Sequence, residues 1–478
     1  MTSAPDAVVV GSGPNGLAAA VTLAGAGLSV TVLERSASIG GGTRTEELTV
    51  PGVLHDVCSA VHPLAVASPF LSSLDLGRHG LRWMWPEVDV AHPLDSGRAA
   101  VMAGSLAETA AGLGAAGSTW RRLFGPLVER FQQLAVETMG PVLHVPRHPL
   151  TLSRFGVRAI LPATAVTSLL RAEEPAALFA GIAAHVNYPL ERPATAAPGL
   201  LLAATGQWRG WPVAKGGSAR IAGALASLLA SLGGRLETGV HVAGLAELEA
   251  WGRPRVVMLD TSPPAAARIC GDRMPAAVRH AYESWRFGAA AFKLDLAVSG
   301  GLPWTAEPCR RAGTVHVGGA AAEIAAAERD VHRGRMPSRP FVLVAQQYIS
   351  DPSRSSGDVH PVWAYAHAPQ GYDGDATGAI LGQIERFAPG SRDRIVALAA
   401  QGPAETEAYN PNYVGGDIAT GANDWPQLLF RPRLTAHPYD TGVPGVYLCS
   451  AATPPGAGVH GMCGHLAARR ALDRLHVR

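Results

Sequence analysis

The sequence predicts an α/β protein. A parallel-sheet domain is built from three separate pieces of chain, and a mixed α+β part is interleaved between them. Three stretches carry this prediction: one near the start (6–34), one in the middle (211–261) and one at the end (445–475).

Near the start, Asp6-Ala-Val-Val-Val10 is a short apolar run of strand type. It meets Gly11-Ser-Gly13-Pro14-Asn15-Gly16, which fits G-x-G-x-x-G. Leu17 to Gly27 reads as an Ala-rich helix, and Ser29 to Leu33 as a second strand. That strand ends on Glu34, 18 positions after Gly16. Strand, glycine turn, helix, strand and acid together form the βαβ dinucleotide fingerprint. Gly11 allows the tight turn, Gly13 lets backbone approach a pyrophosphate, and Gly16 lets helix pack on strand. The helix N-terminus offers N–H groups to phosphate, and Glu34 can accept hydrogen bonds from a ribose. Context matters, because Gly112-Leu-Gly114-Ala-Ala-Gly117 fits the same pattern. A helical pattern precedes it and no acid follows at the right distance, so it reads as a loop.

The continuation Glu34-Arg35-Ser-Ala-Ser-Ile-Gly40-Gly41-Gly42-Thr43-Arg44-Thr45 resembles the second signature of FAD enzymes of the amine oxidase and phytoene desaturase superfamily. The resemblance implies a Rossmann-like FAD-binding domain of the glutathione reductase/amine oxidase type. It implies FAD rather than NAD, with the glycines beside the pyrophosphate and flavin. Many members carry Arg directly after the Gly pair; here Gly42 stands there and Arg44 follows two places on.

At 478 residues the chain has room for two or three domains. With 16% charged and 47% hydrophobic residues it is a folded globular protein, and a net charge of +2 gives no reason to expect nucleic acid. Among the 40 basic residues only Lys215 and Lys293 are lysines. Five cysteines (Cys58, Cys270, Cys309, Cys449 and Cys463) form no C-x-x-C pair, so no metal site is expected and a cytoplasmic setting is the simplest. Met1 to Pro5 runs straight into the first strand without a signal peptide pattern. No apolar run reaches about 18 residues, the length needed to span a membrane, though a peripheral membrane contact stays open.

His55 and His62 follow the glycine signature, either lining a pocket or serving as structural residues. Leu81 to Pro198 reads as a mostly helical insertion with a small hairpin in Val88 to Val101. Helices are expected over Leu106–Gly112, Trp120–Thr138, Val157–Leu170 and Pro175–His185. The surface of Val157–Leu170 faces either a buried domain partner or lipid, the former being the simpler expectation. Trp211 to Ser218, with Lys215-Gly216-Gly217, brings the chain back. A helix (Ala219–Leu232) and strands at Arg235–Thr238 and Arg255–Thr261 follow. By the resemblance this block completes the FAD domain, and Val240 matches the position whose backbone faces the adenine. The domain plan is therefore 1–80, 205–265 and 430–478 for FAD, and 81–204 with 266–429 for substrate.

Farther on, Ala289–Val298, Phe341–Tyr348 and Pro361–His367 read as strands, the last with Tyr365 and His367 on one face. Ala379–Phe387 reads as a helix. The first of these strands resembles the one in flavin amine oxidases whose lysine reaches flavin N5 through a water, and Lys293 falls on that position. A lysine, unlike arginine, can shift its pKa and hold one water; the alternative is a strand-end lysine reaching solvent. Asn412–Ile418 and Arg431-Pro432-Arg433 resemble stretches of bacterial phytoene dehydrogenase-related proteins.

The chain ends with a strand (Gly445–Thr453), a glycine-rich turn (Pro454–Gly461) and a helix (Met462–Leu475). Superfamily members end this way, with the helix N-terminus at the flavin pyrimidine. The resemblance places Ser450, Ala451, Gly458 and Val459 at the cofactor. His460 is a neighbour of flavin or substrate, or a packing residue.

The implied function is an FAD-dependent dehydrogenase or desaturase that removes a hydride from an apolar substrate to flavin N5. No second site for NADPH is found, so oxygen, a quinone or another acceptor would complete the cycle. Two alternatives remain: a flavin amine oxidase, which Lys293 would suit, and a non-redox binding protein on the same fold.

Overall fold

The computed structural model describes residues 4–476. The first strand, β1 (Ala7–Val10), leads through the glycine turn into α1 (Pro14–Gly25) and back into β2 (Val30–Glu34). Every residue of both strands is buried, as expected for a parallel sheet covered on both faces. The complete sheet has five strands in the order Val446–Leu448, Val256–Leu259, β1, β2, Arg235–Thr238, all parallel. Three widely separated pieces of chain thus supply one sheet. Gly11 and Glu34 lie at the carboxyl ends of adjacent strands, where open α/β sheets hold ligands.

Two close approaches fix this layer. A Cβ on Gly16 would lie 2.1 Å from the Gly11 carbonyl oxygen. A Cβ on Gly464, in the C-terminal helix Met462–Leu475, would lie 1.7 Å from the Asn15 carbonyl oxygen. Only glycine lets α1 sit this near both its strand and the last helix.

The second sheet has seven strands in the order Ile395–Gln401, Ala290–Ser299, Val359–Ala368, Val342–Ala345, Ala312–Val317, Val88–Pro93, Ala99–Ala103. Its pairs are antiparallel except that between Val88–Pro93 and Ala312–Val317. Side chains on Val359–Ala368 alternate: Val362, Ala364 and Ala366 enter one apolar core, while Trp363 and Tyr365 join another on the opposite face. That second face, with His367, looks toward the first sheet.

Several elements differ from the sequence expectation. Val157–Leu170 is not one helix but parts of two, Pro149–Ala159 and Ala163–Leu170. Pro162 has no N–H and disfavours a helical residue before it, so it separates them. One side of this stretch is the expected buried face, with Ala159, Ala163, Val166 and Leu170 in the core, while Val157, Ile160 and Leu169 on the other side are exposed. Trp120–Thr138 likewise divides, into Gly117–Val128 and Phe131–Thr138. The hairpin expected over 88–101 does form, and it makes one edge of the large sheet. Phe341–Tyr348 keeps strand pairing only over Val342–Ala345 before a short helical turn, Gln347–Ser350. Gly445–Thr453 is a strand only to Leu448, because the Thr453 hydroxyl donates to the Ser450 carbonyl and closes a turn there. Among the described residues no helix is long and apolar enough to cross a membrane.

A buried ionic knot joins three separated segments, around Asp56, Ala214 and Asp351. Arg354, fully buried, pairs with Asp56 and with Asp351 at 3.4 Å, and donates to the Ala214 carbonyl at 2.7 Å. Asp351 accepts from the Gly216 N–H and Asp56 from the Ser218 N–H. The Lys215-Gly216-Gly217 block is therefore an anchor between these segments.

Candidate functional site

A cavity of about 1030 Å³ runs between the two sheets. One end is the dinucleotide cradle. Gly11, Gly13, Pro14, Asn15, Glu34, Arg35, Gly41, Gly42 and Arg44 line it, as do Val240, Ser450, Ala451, Gly458 and Val459. Glu34 is held ready: one carboxylate oxygen accepts from the Ser12 N–H and hydroxyl, the other from the Ser36 N–H. Arg44 lies 3.5 Å from Glu34, donates to the Ser38 carbonyl, and stacks on Tyr409. Tyr413 fills the space beside Gly42; a Cβ on Gly42 would lie 2.2 Å from its hydroxyl. A side chain at position 42 has no room here.

The residues fit a dinucleotide. Among the described residues the N–H groups of Gly13 and Asn15, at the start of α1, donate to no protein acceptor, and the Asn15 side-chain oxygen is buried without a partner. The two free N–H groups are the donors that a diphosphate requires. One carboxyl also stands there. Asp260 accepts from the Gly16 N–H at 2.9 Å, and burial pushes it up to about 7.

Five expected site residues lie elsewhere. Gly16 and Gly40 do not line the cavity: Gly16 packs helix on strand, and Gly40 donates to the Ser12 carbonyl. Thr45 is part of the anchor, donating to Asp56 and accepting from the Ala219 N–H. Lys293 is off the cavity wall. Its ammonium pairs with Asp295, whose other oxygen is 3.5 Å from His55 Nδ1, so Lys293 does not reach solvent; it lines a small separate pocket with Trp363, Tyr365, Tyr409 and Tyr413. It stands beside Tyr365, its cross-strand neighbour on the same face of the sheet. His460 is also turned away. Its Nδ1 accepts from the Met462 N–H and its Nε2 meets the Gly456 carbonyl, so it closes the turn. Burial pushes it down to about 4 and keeps it neutral. Because His460 occupies the first amide of the last helix, the Gly456–Val459 loop faces the cavity instead of the helix end.

The middle of the cavity is polar in a way the sequence left unread. His367 Nδ1 lies 2.8 Å from Glu328 Oε1, both buried. An ionised carboxylate accepts only, so Nδ1 carries the proton and Nε2 is the free base nitrogen. His185, beside it on the wall, meets His316 Nε2 at 3.1 Å, and burial pushes His185 down to about 3. Arg431 lies on the wall next to Gly456. It is buried and donates to the carbonyls of Gln427 and Ala451 and the side chain of Asn423, all neutral acceptors. His62 also reaches the wall and bonds Ser218, whereas His55 lies behind it with Asp295. Beyond this centre the lining turns apolar, with Leu152, Phe155, Ala159, Ile160, Leu201 and Leu202.

The architecture defines a class: an α/β dinucleotide fold with a second, seven-stranded sheet facing the cradle. A model of the NAD(P)-binding Rossmann-like domain matches residues 9–71. The chain is 23% identical to pyridine nucleotide-disulfide oxidoreductase domain-containing protein 2 of Rattus norvegicus over 97% of this chain and 92% of that one. The Mus musculus protein of the same name is 24% identical over the same shares. Wild-type putrescine oxidase with putrescine bound superposes with a TM-score of 0.61 at 17% identity, covering 99% of each chain. Cyclohexylamine oxidase from Brevibacterium oxydans gives 0.56 at 15%, covering 99% and 100%. At these identities the structural likeness establishes the fold.

Proposed function

We propose that this protein is an FAD-dependent dehydrogenase that oxidises an apolar small molecule, in the manner of the phytoene dehydrogenase-like group. The observation that carries the reading is the single cavity joining a dinucleotide cradle to an apolar arm, with the His367–Glu328 pair between them. Gly13, Asn15, Glu34, Arg44 and Val240 would hold the cofactor. Bound FAD supplies a two-electron hydride acceptor. The protein does the rest. The apolar arm binds and orients the substrate and excludes water. Loss of a hydride from one carbon leaves a proton to be removed from its neighbour or from a hydroxyl. His367 Nε2 takes that proton, and Glu328 stabilises the resulting imidazolium through Nδ1. Arg431 places a positive charge on the wall, favouring a cofactor that gains negative charge on reduction. Oxygen or a quinone would serve as the final acceptor.

An amine oxidase is the second reading, favoured by the fold shared with putrescine oxidase and cyclohexylamine oxidase. Anaerobic mixing of the flavin-loaded protein with apolar alcohols, isoprenoid alkenes and alkyl amines separates the two. Loss of flavin colour with alcohols or alkenes supports the dehydrogenase. Loss with amines alone replaces it with the second reading.

A further inference from the structure

The apolar arm of the cavity ends at a surface of unusual composition. Its rim is made by the Gly140–His148 loop and the helix Pro149–Ala159. Val142 and Ile160 both line the cavity and stand exposed, so the rim is continuous with the interior. Around them Val145, Leu150 and Val157 are 89%, 67% and 69% exposed, and Leu143 is exposed as well. Clustered apolar exposure of this kind marks an interaction surface.

The charge around the rim is one-sided. Between Glu137 and Glu173 the sequence contains Arg147, Arg154, Arg158 and Arg171 and no acidic residue. Arg147, Arg154 and Arg171 are exposed, Arg158 is half-buried, and among the described residues none of the four forms an ion pair. The loop is held in place from inside. Glu137 accepts from the His148 N–H at 2.7 Å and pairs with His144 at 2.7 Å.

We infer that this rim docks on an anionic lipid surface, so that the cavity draws its apolar substrate from the bilayer. Exposed apolar side chains among unpaired arginines match an acyl boundary beneath anionic headgroups. A second copy of the chain would bring the same positive charge against itself, whereas anionic lipid neutralises it. This builds on the apolar-substrate reading, but vesicle binding is measured without substrate, so its failure would leave that reading to its own test.

The test is flotation of the full-length protein with vesicles of phosphatidylcholine alone and of phosphatidylcholine mixed with phosphatidylglycerol. The protein should float with the anionic vesicles and be released by high salt. Arg154→Gln and Arg158→Gln should each weaken binding about fivefold, the effect of roughly one charge at such a surface. Leu150→Ser combined with Val157→Ser, both exposed and off the cavity lining, should abolish flotation while the melting temperature holds. Equal binding to both vesicle types, or none to either, would overturn the proposal. So would a concentration-dependent dimer that the Leu150→Ser/Val157→Ser variant dissolves without any vesicle binding.

Discussion

His367 lines the cavity and Glu328 holds it from behind, with Nδ1 and Oε1 2.8 Å apart and the glutamate 2% exposed. The histidine comes from the strand Val359–Ala368 and the glutamate from the helix Ala321–His332, so a sheet and a helix fix the ring from two sides. Such a carboxylate sets the tautomer and supports the cation that proton uptake creates.

Removing either member should therefore slow turnover without emptying the cradle. Glu328→Gln and His367→Asn are expected to lower kcat about 100-fold or more, the usual size of a general-base contribution. The amount of bound flavin should stay at the wild-type level. Stopped-flow reduction alongside flavin content checks both; equal rates in variant and wild type would remove His367 from the reaction.

Asp260 makes the cradle sensitive to pH. Burial raises its carboxyl to about 7, the Gly16 N–H pulls it down, and the neighbouring Glu34 charge pushes it up; the thiols of Cys449 and Cys463 are also at hand. The folded value lies above the unfolded 3.8, so ionisation is resisted in the fold. Stability should fall as pH rises from about 3.8 to about 7 on account of this group. A diphosphate held by the same helix N-terminus should bind more weakly above pH 7, where Asp260 is charged. FAD titrations across this range should show that loss, and Asp260→Asn should flatten it.

Arg354 should be the costliest single truncation away from the cavity. Replacing it with alanine strands the buried Asp56 and Asp351 carboxylates and should cost about 3–5 kcal/mol in chemical denaturation. Burial alone would raise Asp56, but the Arg354 charge and the Ser218 N–H outweigh it and hold the carboxyl below 3.8. Its contribution is present above 3.8 and lost as pH falls through the lower folded value. Acid unfolding of the wild type should therefore steepen below that point, and Arg354→Ala should lack the step.

Gly16→Ala tests the cradle itself. Its Cβ would meet the Gly11 carbonyl at 2.1 Å, so α1 must shift from β1. Overpacking of this kind costs about 1–3 kcal/mol. A lowered melting temperature together with weakened FAD binding is expected; full FAD affinity would show that the helix position does not matter to the ligand.

The cradle was legible because its parts are close in sequence and each has a fixed backbone task. The Gly11–Gly16 turn, Glu34 and the glycines after it needed only local spacing, and the same holds for the strand, turn and helix at the end of the chain. Residues brought together across the fold were not legible. Glu328 and His367 are 39 positions apart on different elements, and no local pattern joins them. Asp260 reads as an ordinary strand end until its oxygen meets the Gly16 N–H, 244 positions away. Lys293 shows the converse. Its place on a strand was read well, but Asp295, two residues on and on the same face, captures its ammonium behind the cavity wall. His460 sits in the expected turn, yet the free amide at the helix start draws its ring inward.

FAD binding in the cavity between the two sheets underlies the proposed reaction. The most direct measurement is the near-ultraviolet and visible absorbance of the purified protein, before and after unfolding, with added FAD if the protein is colourless. The account predicts a flavin spectrum at about one equivalent per chain, released intact on unfolding or taken up on titration. A protein that stays colourless and binds no added FAD would contradict it, and would leave a binding protein on the same fold as the remaining reading.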